Sequence, residues 1–315
     1  MEKIRIGISA CLLGEPVRYD GGHAHDRYIT DTLGRYMEFI PVCPEMEAGF
    51  GIPREPVRLV GDPDLPRLIT VNTKRDLTDT MMNWASMRVK ELEKQNLCGF
   101  IFKSKSPSSG MERVKVYREN GMPVKKGVGL FARAFMEHFP LLPAEDEGRL
   151  HDPNLRENFI ERIFTLYRWH KNIEEKQSPG KLVDFHTRHK LLILAHSPRH
   201  YREMGRLVAQ IKGSEINEVY ERYEALLMEA LRLRATASKH MNVLQHMMGY
   251  FKKQLTKDEK KELLDIIKDF HDELIPIIVP VTLFNHYVRK YKQPYLMNQV
   301  YLSPHPAELK LRNHV

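Results

Sequence analysis

No apolar run in this 315-residue chain approaches the ~20 residues that a membrane-spanning helix needs. Its opening, Met-Glu-Lys-Ile-Arg-Ile-Gly-Ile, reads as a strand at once, so no secretion signal is expected. Only three cysteines are present, too few for a disulfide framework, so reduced thiols in the cytoplasm are expected. No Cys-x-x-Cys pair and no Cys/His ladder occurs, so zinc is not signalled. There is no internal repeat and no low-complexity tail. What is present is an ordinary globular balance, 42% hydrophobic and 29% charged, in a chain long enough for two domains.

Charge is uneven. Residues 1–150 carry 22 Lys+Arg against 21 Asp+Glu, and the remainder 27 against 20, so nearly all of the net +8 sits in the second half. A basic excess confined to one half points to a polyanion, nucleic acid first. A solvated lysine-rich helical surface is the plain alternative.

The first half alternates short apolar runs with helical patterns, which predicts an α/β fold with a parallel sheet. Strands are expected at residues 4–8, 38–42, 68–71 and 99–102. Helices are expected over 78–95, capped by Thr78 or Asp79, and over 131–138. Residues 141–148 are acidic and punctuated by Pro and Gly. A boundary there gives domains 1–145 and 146–315. The second is expected to be all helical, with a first-turn Pro153, an Asp184 cap, a long helical stretch over 216–255, and a capping box at Thr256–Glu259.

Ligands of open α/β sheets bind beyond the carboxyl ends of the strands. Cys11, then Cys43-Pro44-Glu45, then the turn Ser106-Pro107-Ser108-Ser109 each follow such an end, and they are expected to converge. Taken singly, a cysteine is most often packing and a Ser/Pro/Gly turn only a turn. Cys98 begins its strand, ~20 Å from Ser104 at about 3.3 Å per residue, so it reads as a core thiol at the opposite edge. Arg18, Arg54, Lys103 and Lys105 lie near enough to meet a phosphate or a ligand carbonyl, with solvated surface an equal reading for each.

Three ordered motifs resemble the thiouracil desulfurase (TudS) family. They are Ser9–Gly14 with Arg18-Tyr19-Asp20-Gly21-Gly22, Val42-Cys43-Pro44-Glu45, and Lys105-Ser106-Pro107-Ser108-Ser109-Gly110. Leu182–Leu192 followed by Ala195-His196-Ser197-Pro198 resembles the YbgA-like helical domain. Together they resemble the fused RudS desulfurases, which act on 4-thiouridine in tRNA. The resemblance implies a Rossmann-like α/β domain followed by an all-α domain, and a [4Fe-4S] cluster on three cysteines with one iron open. It implies Glu45 and Ser106 as catalytic pair and Cys11 and Cys43 as ligands; by their position Arg18, Lys103 and Lys105 are then expected near the substrate, its uracil carbonyl included. Ser109 stands where the family has its third ligand cysteine. That leaves two readings open, a cluster-free protein or one in which Ser109 ligates. The helical half is expected to dock tRNA through Arg188, Lys190, Arg199, Arg202 and Arg206. Among them lie His186, His189, His196 and His200, read first as core histidines and only second as iron ligands. A non-catalytic RNA-binding protein and a desulfurase of free thiouracil remain as alternatives.

Overall fold

In the computed structural model, which describes residues 2–118, 120–174 and 177–314, the chain divides into two units, Met1–Leu155 and Arg156–Val315. In the first unit β1 (Ile4–Ser9), β2 (Met37–Val42), β5 (Phe100–Phe102) and β8 (Ala144–Asp146) form one sheet in the order β2-β1-β5-β8. All its pairings are parallel, as the alternating pattern predicts. The boundary falls later than the expected residue 145, because β8 is a strand of this sheet. Arg149 beyond it also pairs back to Glu145 (2.5 Å) and Glu112 (2.9 Å).

A second sheet is not legible in the strand pattern. It takes β3 (Val57–Gly61), β4 (Pro66–Thr70), β6 (Val114–Tyr117) and β7 (Pro123–Gly127) in the order β4-β3-β6-β7. The expected strand at 68–71 belongs here, antiparallel to β3. Helices α1 (Pro44–Glu47), α2 (Thr78–Glu93) and α3 (Leu130–His138) complete the unit. Asp76, not Thr78 or Asp79, accepts the first-turn amide of α2, from Thr78 N at 2.9 Å.

The main core packs Met81, Ala85, Val89 and Leu92 of α2 and Phe131 and Phe135 of α3 with Leu59, Leu68, Phe100, Phe102 and Val116. Phe100 sits at its centre, with ring centroids 4.3 Å from Phe102 and 4.5 Å from Phe135. It faces Gly7 across the β1–β5 pairing. A Cβ at Gly7 would lie 2.3 Å from the Phe100 ring, closer than any packing allows, and the ring is walled in by other aromatics.

The second unit is helical, as expected. Its helices are α4 (Pro153–Glu174), α5 (Pro179–His196), α6 (Pro198–Ala209), α7 (Ile216–Arg232), α8 (Ala237–Met248), α9 (Lys257–His271), α10 (Ile278–Lys290) and α11 (Pro294–Met297). The stretch expected to be one long helix over 216–255 breaks between α7 and α8. There side chains take the carbonyls that a helix would use. His196 Nδ1 reaches Leu233 O at 2.6 Å and Lys239 Nζ reaches Arg234 O at 2.8 Å. Asp184 lies inside α5, and Ser178 caps it instead by accepting from Lys181 N at 3.3 Å. The capping box at Thr256 and Glu259 is present. No described helix is long and apolar enough to cross a membrane.

Trp169 anchors this core, stacked 5.2 Å from Tyr223. Beside it runs a buried ionic network. Arg312 donates through Nη2 to Glu161 (2.6 Å) and through Nη1 to Tyr301 O (2.7 Å), and lies 3.4 Å from Glu157. His196 Nε2 completes it, 3.2 Å from Glu161. Burial and the Glu161 charge push the Glu157 carboxyl up. At Glu161 burial pushes the same way, but Arg312 and then His196 outweigh it and hold the carboxyl below its ordinary range.

Two substitutions test this packing. Gly7→Ala should cost about 1–3 kcal/mol by overpacking, read from the urea midpoint; an unchanged midpoint would show that the ring yields freely. Arg312→Met should cost about 3–5 kcal/mol, because it strands a buried carboxylate. A loss under ~1 kcal/mol would mean that the network contributes little beyond shape.

Candidate functional site

Parallel pairing aligns the carboxyl ends of β1, β2 and β5, with Ser9 opposite Val42 and Ile8 opposite Ile101. The three loops that follow therefore open on one edge, around a cavity of about 390 Å³. Cys11, Cys43, Glu45, Ser106 and Ser109 all line it, with Arg18, Arg54, Lys103 and Lys105. The convergence expected from the sequence is present.

Each side chain is placed by its local backbone. Cys11 sits in a single 3-10 turn, Ala10–Leu13, that ends at Gly14 with φ +92°, a left-handed conformation that glycine adopts without strain. The Cys11 carbonyl accepts from Gly14 N and from Ala24 N (2.9 Å), which folds the next loop over it. Cys43 is the N-cap of α1, its amide donating to Glu47 Oε1 at 2.8 Å. Its sulfur lies 3.7 Å from Val17 O and 3.9 Å from Glu45 Oε2. Burial pushes the Cys11 thiol up to about 11, with Lys103 pulling the other way. Burial, then the Glu45 charge, pushes Cys43 up to about 12. Both are neutral thiols at pH 7.

Glu45 is clamped from both sides. Arg54 Nη2 lies 3.7 Å from its Oε2, and Ser108 Oγ donates to its Oε1. Arg54 is itself fixed by bonds to Val17 O (3.0 Å) and Gly51 O (3.1 Å). Ser106 Oγ accepts the amides of Ser108 (3.2 Å) and Ser109 (3.1 Å). Its lone pairs are therefore engaged while its hydrogen is free to be donated. Ser108 Oγ lies 3.5 Å from it, so one turn carries Ser106 and also holds Glu45. The whole turn is pinned to the start of α3, where Leu130 N donates to Pro107 O (3.2 Å) and Ala132 N to Ser108 O (3.0 Å). Gly129 is required there, since a Cβ would lie 2.5 Å from Ser108.

The sequence reading passed over Ser108, treating it as turn chemistry, and placed Arg54 toward the substrate rather than on Glu45. The carboxylate two residues after Cys43 was the available signal for both, because a buried acid needs partners. Lys103 also differs from expectation. It lines the cavity, but its ammonium is bound to Glu147, which also accepts from Ser104 N at 2.6 Å. Burial pushes Glu147 up, yet the Lys103 bond and charge outweigh it and hold the carboxyl low. Arg18 lies 3.7 Å from Asp20 and over the Tyr19 ring. Lys105 is exposed. Cys98 is buried, with its amide on Arg5 O at the far end of the sheet.

In the second unit Arg199, Arg202 and Arg206 line one surface concavity, joined by Arg222 of α7, which adjacency in sequence could not show. Arg188 and Lys190 are not among its lining residues. Arg188 pairs with Asp184 (2.9 Å) and Lys190 lies over the Tyr295 ring (4.7 Å). The four histidines are buried and partnered. His186 meets Tyr223 Oη (3.1 Å), His189 meets Phe185 O (2.8 Å), His196 meets Glu161 and His200 meets Ser197 Oγ (2.8 Å). They are core histidines.

Comparison with known proteins finds relatives of each unit. A family model described as 2-thiouracil desulfurase matches residues 6–147, and one described as a protein of unknown function (DUF1722) matches residues 190–306. YbgA, an uncharacterized protein of Escherichia coli (strain K12), is 32% identical over 48% of this chain and 90% of its own length. YbbK, an uncharacterized protein of Bacillus subtilis (strain 168), is 31% identical over 33% of this chain and 71% of its own. A solved structure of a [4Fe-4S]-dependent thiouracil desulfidase, TudS, is 28% identical over 48% of this chain and 95% of its own, with a TM-score of 0.40.

Two thiols and one hydroxyl thus share a cavity, and Ser109 Oγ makes no hydrogen bond among the described residues. This donor set fits an iron–sulfur cluster on Cys11 and Cys43 with an oxygen at the third corner. Thiolate is the usual cluster ligand, so the third corner is the weak one. Ser109→Cys should therefore retain more iron and sulfide per chain than the wild type after anaerobic reconstitution and desalting. Cys98→Ala should retain as much as the wild type. Equal loading of Ser109→Cys and wild type would remove position 109 from the ligand set.

Proposed function

Because this chain belongs to the 2-thiouracil desulfurase family through its first unit and carries a DUF1722 domain in its second, we propose that it converts thiouridine in tRNA to uridine. The nucleotide proposed is 4-thiouridine, and a cytoplasmic location goes with that substrate. The observation that carries the reading is Glu45, clamped by Arg54 and Ser108 beside Cys43 in the cavity.

The reaction exchanges a thiocarbonyl and water for a carbonyl and hydrogen sulfide, with no net change of oxidation state. Water adds at the ring carbon, and both of its protons must end on sulfur, one lost as it attacks and one as the carbonyl forms. Glu45 takes the proton from water and returns it to the departing sulfur. Ser106, its oxygen already saturated by two amides, donates its hydrogen to the base. Ser108 holds the other side of Glu45 by donating to it, so the turn that carries Ser106 also fixes the carboxylate. Arg54 keeps Glu45 turned toward Cys43. When bound on Cys11, Cys43 and Ser109, a [4Fe-4S] cluster would supply a soft Lewis acid suited to the thiocarbonyl sulfur. In tRNA the target base must leave its stack to enter the cavity. The basic second half, with Arg199, Arg202 and Arg206 on one concavity, supports phosphate docking there.

The test is sulfide release from tRNA bearing 4-thiouridine, by protein reconstituted under anaerobic conditions. Glu45→Gln and Ser106→Ala should each slow release by about 10²–10⁴-fold while tRNA affinity stays unchanged. Tight tRNA binding without release, from wild type and Ser109→Cys alike, would instead establish an RNA-binding protein without turnover. Equal turnover of free thiouracil would remove tRNA from the proposal.

A further inference from the structure

The second sheet has a face that this chemistry does not use. Its inner side, with Leu59, Leu68, Val114 and Val116, is buried in the core. Side chains alternate along a strand, so Arg58 on β3, Lys115 and Tyr117 on β6 and Lys125 on β7 face outward. Register places Lys115 directly opposite Lys125. On the other flank Leu59 pairs with Val116 in parallel, which sets Arg58 beside Lys115. Three cations therefore cross three adjacent strands in one row.

Such a row is unfavourable by itself, because like charges opposed across a sheet destabilise it. Among the described residues none of the three has a carboxylate partner. Arg58 instead lies over the Tyr117 ring, 4.9 Å from its centroid. Only Arg67, on edge strand β4, is neutralised, by Asp76. The strand leads out of the site: Pro56 and Val57 line the cavity, and Arg58 follows on the opposite face of the sheet.

We infer that this face docks a single-stranded stretch of polynucleotide. Phosphates lie along Arg58, Lys115 and Lys125, and a base stacks on Tyr117. The inference rests on the proposed function in one respect: the strand is the RNA that carries the thiolated uridine past the cavity mouth. It gives the desulfurase unit its own contact with the strand, separate from the arginines of the helical unit.

The experiment is fluorescence anisotropy of a labelled, unmodified oligouridylate RNA over a salt series, with the full-length protein. Lys115→Glu with Lys125→Glu should weaken binding at least about tenfold and flatten the salt dependence by about 1–2 in log–log slope. Tyr117→Ala should weaken it about tenfold with the slope unchanged. If the glutamate pair fails to fold, Lys115→Gln with Lys125→Gln should show the same flattening. Wild-type affinity in folded variants overturns the inference. So does a face that binds phosphatidylserine vesicles but no RNA. Sulfide release from free thiouracil should be the same in these variants and in wild type. If the wild type releases none from any substrate, the proposed reaction fails, and the RNA-binding result still decides this inference.

Discussion

The Phe100 ring lies against the bare backbone of Gly7, and that contact fixes how closely β5 approaches β1. Everything at the site follows from this approach. With β1 between β2 and β5, three carboxyl ends come level, and the segments that leave them share one opening. The same ring packs onto Phe102 and Phe135, so the strand that supplies the serine turn is seated by the core itself.

How much of this is visible in sequence depends on the range of the interaction. The Ile4, Ile6 and Ile8 alternation and the buried run at 100–102 mark strands because burial is written locally. Cys11, Cys43 and the serine turn could be placed together because strand ends in a parallel sheet share an edge. The second sheet was hidden because β6 and β7 are short and interrupted by lysines, and the β3–β6 pairing joins residues far apart in the chain. The roles of Arg54 and Ser108 were hidden for a related reason. A carboxylate announces that it needs partners, but not which ones, and Lys103 met Glu147 across the sheet rather than a ligand. In the helical unit Asp184 looked like a cap by composition, yet Ser178 lies at the true turn.

The helical unit shows a different use of charge. Arg312 is close to the end of the chain, yet its guanidinium is buried between Glu157 and Glu161. Buried ion pairs add little net stability compared with well-packed apolar groups, but they are costly to break. Their effect here is to hold the terminal segment in place, since moving Arg312 away would leave a buried carboxylate without its guanidinium. Pairing of His196 with the same cluster brings the α5 terminus under the same constraint.

The serine turn is held by its carbonyls, which accept the first amides of α3, and by the missing side chain at Gly129. None of these attachments uses the side chain at position 109. Oxygen and sulfur can therefore trade places there without refolding the loop, and serine and cysteine codons differ by a single nucleotide. The scaffold thus separates inheritance of the fold from inheritance of the donor atom at position 109. A lineage can exchange the donor atom at position 109, keep the cavity around it, and reverse the exchange later.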